Sequence, residues 1–280
     1  MISVLWPVVA GLLLSLGLAW LGYRLGTHAL SGVLAMIGCY LISALGGGWV
    51  WGALVLLTFS STIAWTHFFR YRKAIALDRL LGRARFTWQQ VISQLGWGCV
   101  LALLSILGQY GVGITGAFVG VIAAANARTL ATEIGVLSRN QPHLVNSGRQ
   151  VPAGTPGAVS PLGLVSAVGG AWLTGFTALV FYFMMALFDE RTWPSALLWL
   201  PIAAMLGGLM ASVVDSFLGA VAQGIYYCDH CQCISREAVH HCGSPARQTR
   251  GWSWLTSYGV NLAGSFVGAA VTMSCVLLAH

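Results

Sequence analysis

Long apolar runs separated by short polar connections extend along the whole chain. Each run has about the 20 residues that a helix needs to cross the hydrocarbon core of a bilayer. The runs fall near residues 2–23, 29–46, 47–69, 91–109, 110–127, 160–188, 195–226 and 255–278. This pattern predicts an all-α, polytopic membrane protein with about eight transmembrane helices. We expect one integral membrane domain over residues 1–280, with a polar loop at 227–254 inserted between the last two helices.

Basic residues are concentrated on alternate connections between these runs. If all eight runs cross the membrane, 13 of the 14 Lys and Arg residues lie on one side, and Arg191 lies opposite. The positive-inside rule predicts that the basic side is cytoplasmic, and we expect a bacterial inner membrane. The residues on that side are Arg24, Arg70, Arg72, Lys73, Arg79, Arg83, Arg85, Arg128, Arg139, Arg149, Arg236, Arg247 and Arg250.

The composition is that of a protein exposed to lipid. With 57% hydrophobic and 8% charged residues, the chain cannot cover a water-soluble surface with polar groups. The net charge of +7 is explained by orientation and contact with anionic lipids, and its dispersal argues against nucleic acid as a partner. Residues 2–23 have neither a basic leader nor a small-residue cleavage site, so we interpret them as a retained helix.

Two of the seven acidic residues stand where a carboxylate is costly. Asp215 lies inside the seventh apolar run, and Glu133 follows the fifth. A charge at the centre of a membrane helix costs about 2.5–3.5 kcal/mol on insertion scales, which suggests function, although a structural hydrogen bond is the alternative. We predict that Asp215 and Glu133 are catalytic. With Asn261, they could hold Mg²⁺ through oxygen ligands, Asp215 being the main one.

Two further loops on the basic side could contact phosphates or lipid. The loop at 134–159 is rich in Gly and Pro, which predicts irregular backbone. Within it, the backbone N–H groups of residues 148–157 could bind the phosphates of a nucleoside triphosphate. It matches neither a Walker A sequence nor a dinucleotide fingerprint. The loop at 70–90 mixes aromatic and basic residues and is expected to lie along the membrane surface. The predicted substrate- or nucleotide-binding residues are Arg128, Arg139, Arg149, Gly154, Thr155, Gly157 and Asn261.

A cluster of Cys and His residues predicts a metal site in the loop at 227–254. Cys228 and Cys231 form a Cys-x-x-Cys pair, and Cys242 follows two histidines. His240 or His241 with Cys242 would complete four tetrahedral ligands for a structural Zn²⁺ ion. Our preferred ligand set is Cys228, Cys231, His240 and Cys242. A disulfide is the alternative, which a reducing cytoplasm disfavours.

Several strings in the chain resemble one family of integral membrane proteins. They are Ala131-Thr132-Glu133-Ile134-Gly135-Val136-Leu137-Ser138, Val151-Pro152-Ala153-Gly154-Thr155-Pro156-Gly157, Val214-Asp215-Ser216-Phe217-Leu218-Gly219-Ala220 and Val260-Asn261. The family, long catalogued as a domain of unknown function, contains animal transmembrane protein 19 and plant phytyl-phosphate kinase. It is distantly similar to dolichol kinases and phosphatidate cytidylyltransferases. The resemblance implies a magnesium-dependent kinase that acts on a prenyl or phytyl monophosphate.

Arg128 departs from the pattern of that family. The family usually reads Asp-Thr-Trp-Ala-Ser-Glu where this chain has Arg128-Thr129-Leu130-Ala131-Thr132-Glu133. An Arg could take a cation's place beside a phosphate, but it cannot hold Mg²⁺. Two alternatives to a kinase therefore stay open. The chain could be a family member without catalysis that binds or translocates a lipid, or it could be a transporter.

Overall fold

The helices of the protein occupy the apolar runs. The computed structural model describes residues 2–68, 85–108, 111–189, 195–235, 238–239 and 242–280. The helices are α1 (Ile2–Arg24), α2 (Leu30–His67), α3 (Trp88–Ile106), α4 (Val112–Gly135), α5 (Pro161–Asp189), α6 (Leu200–Val221) and α7 (Ser257–Leu278), with a 3₁₀ turn at Ser195–Trp199. Among the described residues, six helices are long and apolar enough to cross a membrane, namely all except α1. The predicted polytopic helical fold is confirmed.

Helix α2 is a hairpin rather than one straight rod. A straight helix of 38 residues would be about 57 Å long. The Thr27 hydroxyl and His67 Nε2, which lie beside its two ends, are only 3.0 Å apart. The chain reverses at Gly48, whose φ of 73° and ψ of −168° lie where glycine is favoured. The two arms match the predicted runs 29–46 and 47–69, and counting them separately gives eight helical segments among the described residues.

Helix α4 is the centre of the bundle. Every residue from Thr115 to Ala127 is buried, so the helix contacts other helices on all sides. Trp51 of α2 stacks on Phe118 with the ring centroids 4.0 Å apart. Small residues allow the closest approach, because a Cβ atom at Gly120 would overlap the Gly268 carbonyl and the Thr272 side chain of α7. Such close contact through small residues is typical of helices that pack in membranes.

Replacing Gly120 with Val is expected to lower the stability of the bundle. The added side chain would force α4 and α7 apart, and such overpacking costs about 1–3 kcal/mol. A thermal unfolding scan of the detergent-solubilised protein measures the effect. The matched control is Gly169→Val in α5, because a Cβ at Gly169 meets nothing within 4 Å. Equal melting temperatures for the two variants would contradict the close packing of α4 against α7.

Three connections of the chain, at residues 25–29, 136–160 and 222–256, begin and end at the same end of the bundle. Hydrogen bonds link Thr66 at the end of α2 to Glu133 at the end of α4, and Ser160 at the start of α5 to the Gly135 carbonyl. The opposite end carries the reversal of α2, where Ser105 of α3 donates to the Gly46 carbonyl. We call the first end the loop-bearing end; the ends of α1, α2, α4 and α6 and the starts of α3, α5 and α7 lie there. That this end faces the cytoplasm stays a prediction.

Short strands occur in two of these connections. Strands β1 (His143–Leu144) and β2 (Ala158–Val159) pair antiparallel. Strands β3 (Ile225–Cys228), β4 (Cys233–Ser235) and β5 (Arg247–Arg250) form an antiparallel sheet in the order β4-β3-β5. The prediction of wholly irregular backbone at 134–159 was therefore wrong, because local pairing closes this Gly- and Pro-rich segment into a hairpin. The loop predicted at 70–90 lies largely outside the described residues.

Candidate functional site

Arg128 and Asp215 form an ion pair inside the bundle near its loop-bearing end. Arg128 lies within α4, which continues to Gly135, eight residues beyond the apolar run at 110–127. Its Nη2 atom is 2.5 Å from Asp215 Oδ2, and its Nε atom donates to the same oxygen at 2.7 Å. The two side chains are only 13% and 14% exposed. A buried carboxylate needs such a partner, and Arg128 provides it.

Three polar atoms in this pair and beside it are buried and have no hydrogen-bond partner among the described residues. They are Arg128 Nη1, Asp215 Oδ1 and the Ser212 hydroxyl. Ser212 precedes Asp215 by three residues, so the two lie on the same face of α6. An unpaired buried polar atom costs about 1–3 kcal/mol. The cluster thus has unused donors and an unused acceptor, which is typical of a site that binds a polar group.

Helix α7 completes the surroundings of the ion pair. Arg128 Nη2 also donates to the Asn261 carbonyl at 3.1 Å, and the Asn261 side chain donates to the Ser93 hydroxyl of α3 at 3.4 Å. Gly264 lies directly against the pair, because a Cβ there would overlap the Asp215 carboxylate. The predicted residues Arg128, Asp215 and Asn261 are therefore brought together from three helices.

Glu133 lies apart from this cluster. It accepts a hydrogen bond from the Thr66 hydroxyl of α2 at 3.3 Å. Glu133 is five positions after Arg128, which places the two side chains roughly 140° apart around α4, facing different helices. Asp215 Oδ2 is already bonded to a guanidinium, which would repel a cation. The described residues therefore do not fit a Mg²⁺ ion shared by Asp215 and Glu133.

The Gly- and Pro-rich loop rests on the last turn of α6. A Cβ at Gly157 would overlap the backbone of Ala220, and Gly157 has a φ of +81°, so glycine is required for both reasons. Arg250 Nη2 donates to the carbonyls of Pro156 and Gly219, at 2.9 and 3.3 Å. Gly219 follows Asp215 by four residues, one helical turn. The loop therefore lies about one turn from the ion pair.

The other residues predicted to bind phosphates lie in the same connection. Gly154 has a φ of +89°, and the Thr155 hydroxyl donates to the Pro152 carbonyl at 2.7 Å. The side chains of Arg139 and Arg149 are exposed at the loop-bearing end. These four residues lie in the connection between α4 and α5, which rests on the last turn of α6.

Three cysteines converge in the connection between α6 and α7. The sulfur atoms of Cys228, Cys231 and Cys242 all lie within 4.8 Å of one another, a group that could hold a metal ion. Cys228 is buried, and the other two are exposed. A hydrogen bond with Cys242 raises the pKa of the Cys231 thiol to about 12. A metal ion that binds these thiols would therefore displace protons. His240, the predicted fourth ligand, lies outside the described residues.

Sequence reasoning missed three residues of this region. Ser212 carries a usable signal, since it stands one turn before Asp215. Gly264 belongs to a Gly-x-x-x-Gly pattern with Gly268, which is typical of close helix contact. Arg250 was assigned only to membrane orientation, because nothing in the sequence shows that strand β5 brings it back to α6.

Comparison with known proteins agrees with this architecture. The family model for the integral membrane protein family DUF92 matches residues 13–269. The chain is 26% identical over 238 residues to Protein PGR of Arabidopsis thaliana, covering 80% of this chain and 81% of that protein. It is 29% identical over 138 residues to the uncharacterized membrane protein MJ0933 of Methanocaldococcus jannaschii, covering 49% and 52%. No solved structure matches the chain.

The chain belongs to the DUF92 family of integral membrane proteins, because the family model spans most of its length. This confirms the membership in an integral membrane family that its sequence strings predicted. The match also establishes that the chain is a multi-pass integral membrane protein.

Proposed function

We propose that the protein is an isoprenoid-phosphate kinase of the inner membrane. It transfers a phosphoryl group from a nucleoside triphosphate to a prenyl or phytyl monophosphate at the cytoplasmic face. The observation that carries the proposal is the buried Arg128–Asp215 pair with unused hydrogen-bonding atoms around it. The reaction class itself comes from the resemblance of the sequence strings to phytyl-phosphate kinase.

The lipid phosphate is bound by Arg128 in this mechanism. Asp215 holds the Nε and Nη2 atoms of the guanidinium, which leaves Nη1 to donate to a phosphate oxygen. The Ser212 hydroxyl supplies a second donor. Fixing the guanidinium in advance lowers the cost of binding, and aligning the reacting groups is the larger part of catalysis in phosphoryl transfer. Asp215 thus acts as the positioning partner of Arg128.

The nucleotide is bound by the loop at 148–157. Its backbone N–H groups and the exposed Arg139 and Arg149 suit phosphate oxygens. An oxygen of the lipid monophosphate attacks the γ-phosphorus, and the bond from that phosphorus to the β,γ-bridging oxygen breaks. A lipid diphosphate and a nucleoside diphosphate leave. No proton transfer is needed, because the attacking phosphate oxygen is already ionised.

A second candidate is lipid-phosphate binding without catalysis. Two features favour it. The family that the sequence strings resemble usually has an acid where this chain has Arg128, and Arg128 forms an ion pair with Asp215. Such a protein would bind the same lipid head group but would form no diphosphate. Transport has no specific support in the described contacts.

The cysteine cluster is proposed to hold a structural Zn²⁺ ion. Cys228, Cys231 and Cys242 supply three sulfur ligands, and the predicted fourth is His240. Four protein ligands leave no position for a reacting water molecule. The ion therefore stabilises the connection between α6 and α7 and takes no part in phosphoryl transfer.

Phosphorylation of geranylgeranyl and phytyl monophosphate tests the proposal. Detergent-purified protein is incubated with several nucleoside triphosphates as their magnesium complexes, and lipid diphosphate is measured. We expect product from the wild type and a loss of at least about 100-fold in Asp215→Asn, because the guanidinium is no longer fixed. The matched control is Asp189→Asn, at the opposite end of the bundle, which should keep full activity.

Lipid binding by the same proteins separates the two candidates. Suppose the folded wild type forms no lipid diphosphate with any nucleotide but binds the lipid monophosphate, with binding lost when Arg128 is replaced. That result would refute the kinase proposal and support the lipid-binding candidate. Equal kinase activity of the wild type and Asp215→Asn would show that the Arg128–Asp215 ion pair takes no part in the mechanism.

A further inference from the structure

The small sheet connects the cysteine cluster to the membrane-embedded site. Strand β3 follows α6 almost directly, beginning at Ile225 and ending at Cys228. In the register of the sheet, Ile225 is paired with Arg250, and Cys228 with Cys233. The cysteine cluster therefore lies at the far end of the sheet, and Arg250 lies at the end beside the bundle.

Arg250 is the side chain that joins the sheet to the Gly- and Pro-rich loop. Its two hydrogen bonds reach the Pro156 carbonyl in the loop and the Gly219 carbonyl in α6. Burial lowers the pKa of the guanidinium, since the group is partly withdrawn from water, but an arginine stays protonated. A cation beside the carbonyls that end a helix is also favoured by the helix dipole.

The sheet has little to stabilise it by itself. Its three strands have only three or four residues, and most side chains of β5 are exposed. The nearest apolar cluster, Ala222, Leu255 and Val260, lies where the chain enters and leaves the bundle. Sheets this small are marginal without added packing or cross-links. A metal ion that links Cys228, Cys231 and Cys242 would supply the cross-link, because metal binding energy becomes folding energy.

We infer that zinc at the cysteine cluster holds the sheet in register. It thereby keeps the Arg250 guanidinium hydrogen-bonded to the carbonyls of Pro156 and Gly219. The metal thereby sets the position of the loop at 148–157 against the end of α6. Arg250 is a positioning residue that acts through this loop. The inference rests on the zinc ion proposed above and does not depend on the reaction.

Amide hydrogen exchange of the segment 145–159 in the full-length, detergent-purified protein tests this inference. Removing zinc from the wild type with a chelator should make the segment exchange about tenfold faster, the factor expected when a charge-assisted hydrogen bond is lost. Arg250→Gln should show the same increase while it retains its zinc, and Arg250→Lys should recover part of the protection. The matched control is Arg247→Gln, an exposed arginine on the same strand, which should behave as the wild type.

Three results would overturn the inference. They are a protein that contains no zinc, a segment whose exchange does not respond to zinc removal, and an Arg250→Gln variant that exchanges at the wild-type rate. Zinc content is measured on the same samples, and helix content by circular dichroism shows that the bundle is intact. Because phosphoryl transfer does not enter these measurements, an inactive protein that shows the predicted exchange would refute the kinase and leave the inference standing.

Discussion

Replacing Arg128 with Ala is expected to destabilise the protein by about 3–5 kcal/mol, because Asp215 would remain buried as an unpaired charge. Asp215→Ala should cost a similar amount by leaving the guanidinium unpaired. Both side chains are at most 14% exposed, so water cannot replace the missing partner. Unfolding of the detergent-solubilised protein, by heat or by titration with a denaturing detergent, measures these effects.

The double variant Arg128→Ala/Asp215→Ala distinguishes an ion pair from two independent packing losses. Since neither charge is left alone, it should be less destabilised than the sum of the single variants, with a coupling of about 2–3 kcal/mol. Arg139→Ala is the control, because that side chain is exposed and its loss should change stability by less than about 0.5 kcal/mol. Additive single effects would show that the pair contributes no specific interaction.

Replacing Cys228 with Ser should abolish zinc binding. We expect the zinc content to fall from about one ion per chain to less than about 0.1, because a hydroxyl is a poor substitute for a thiolate ligand. Cys228 is the buried member of the cluster, so its loss also removes the ligand nearest the body of the sheet. Metal analysis of the purified protein measures the stoichiometry, and X-ray absorption should show zinc–sulfur distances near 2.3 Å in the wild type.

Cys275→Ser is the matched control for this experiment. Cys275 lies in α7, away from the cluster, and its replacement should leave the zinc content unchanged. His240→Ala tests the predicted fourth ligand and should weaken zinc binding. A zinc content that is the same in Cys228→Ser and wild type would show that the cysteine cluster does not hold the metal.

The membrane architecture could be predicted because it depends on local properties of the chain. A run of about 20 apolar residues is unstable in water and fits a bilayer, whatever the rest of the protein does. The two runs at 29–46 and 47–69 even indicate the reversal within α2, since a single helix of that length would exceed the membrane. Strands β1 to β5 were not predicted, because they are short and depend on pairing between separated segments.

The site could be predicted only in part. Asp215 stands out because a carboxylate inside an apolar run is costly, and the cysteines stand out by their spacing. The partner of Asp215 could not be found this way. Arg128 lies 87 positions earlier along the chain, and no local pattern in the sequence indicates that the two side chains meet.

The class of the protein, the course of its helices and the identity of its unusual polar residues follow from the amino-acid sequence, because hydrophobicity, length and residue chemistry are local. Which of these residues meet depends on the packing of the folded chain. The packing of α4 against α6 and α7 pairs Arg128 with Asp215 and turns Glu133 toward Thr66 instead. Strand β5 returns Arg250 to the end of α6. Such contacts join distant positions in the chain, so they follow from packing and strand pairing and not from any local pattern.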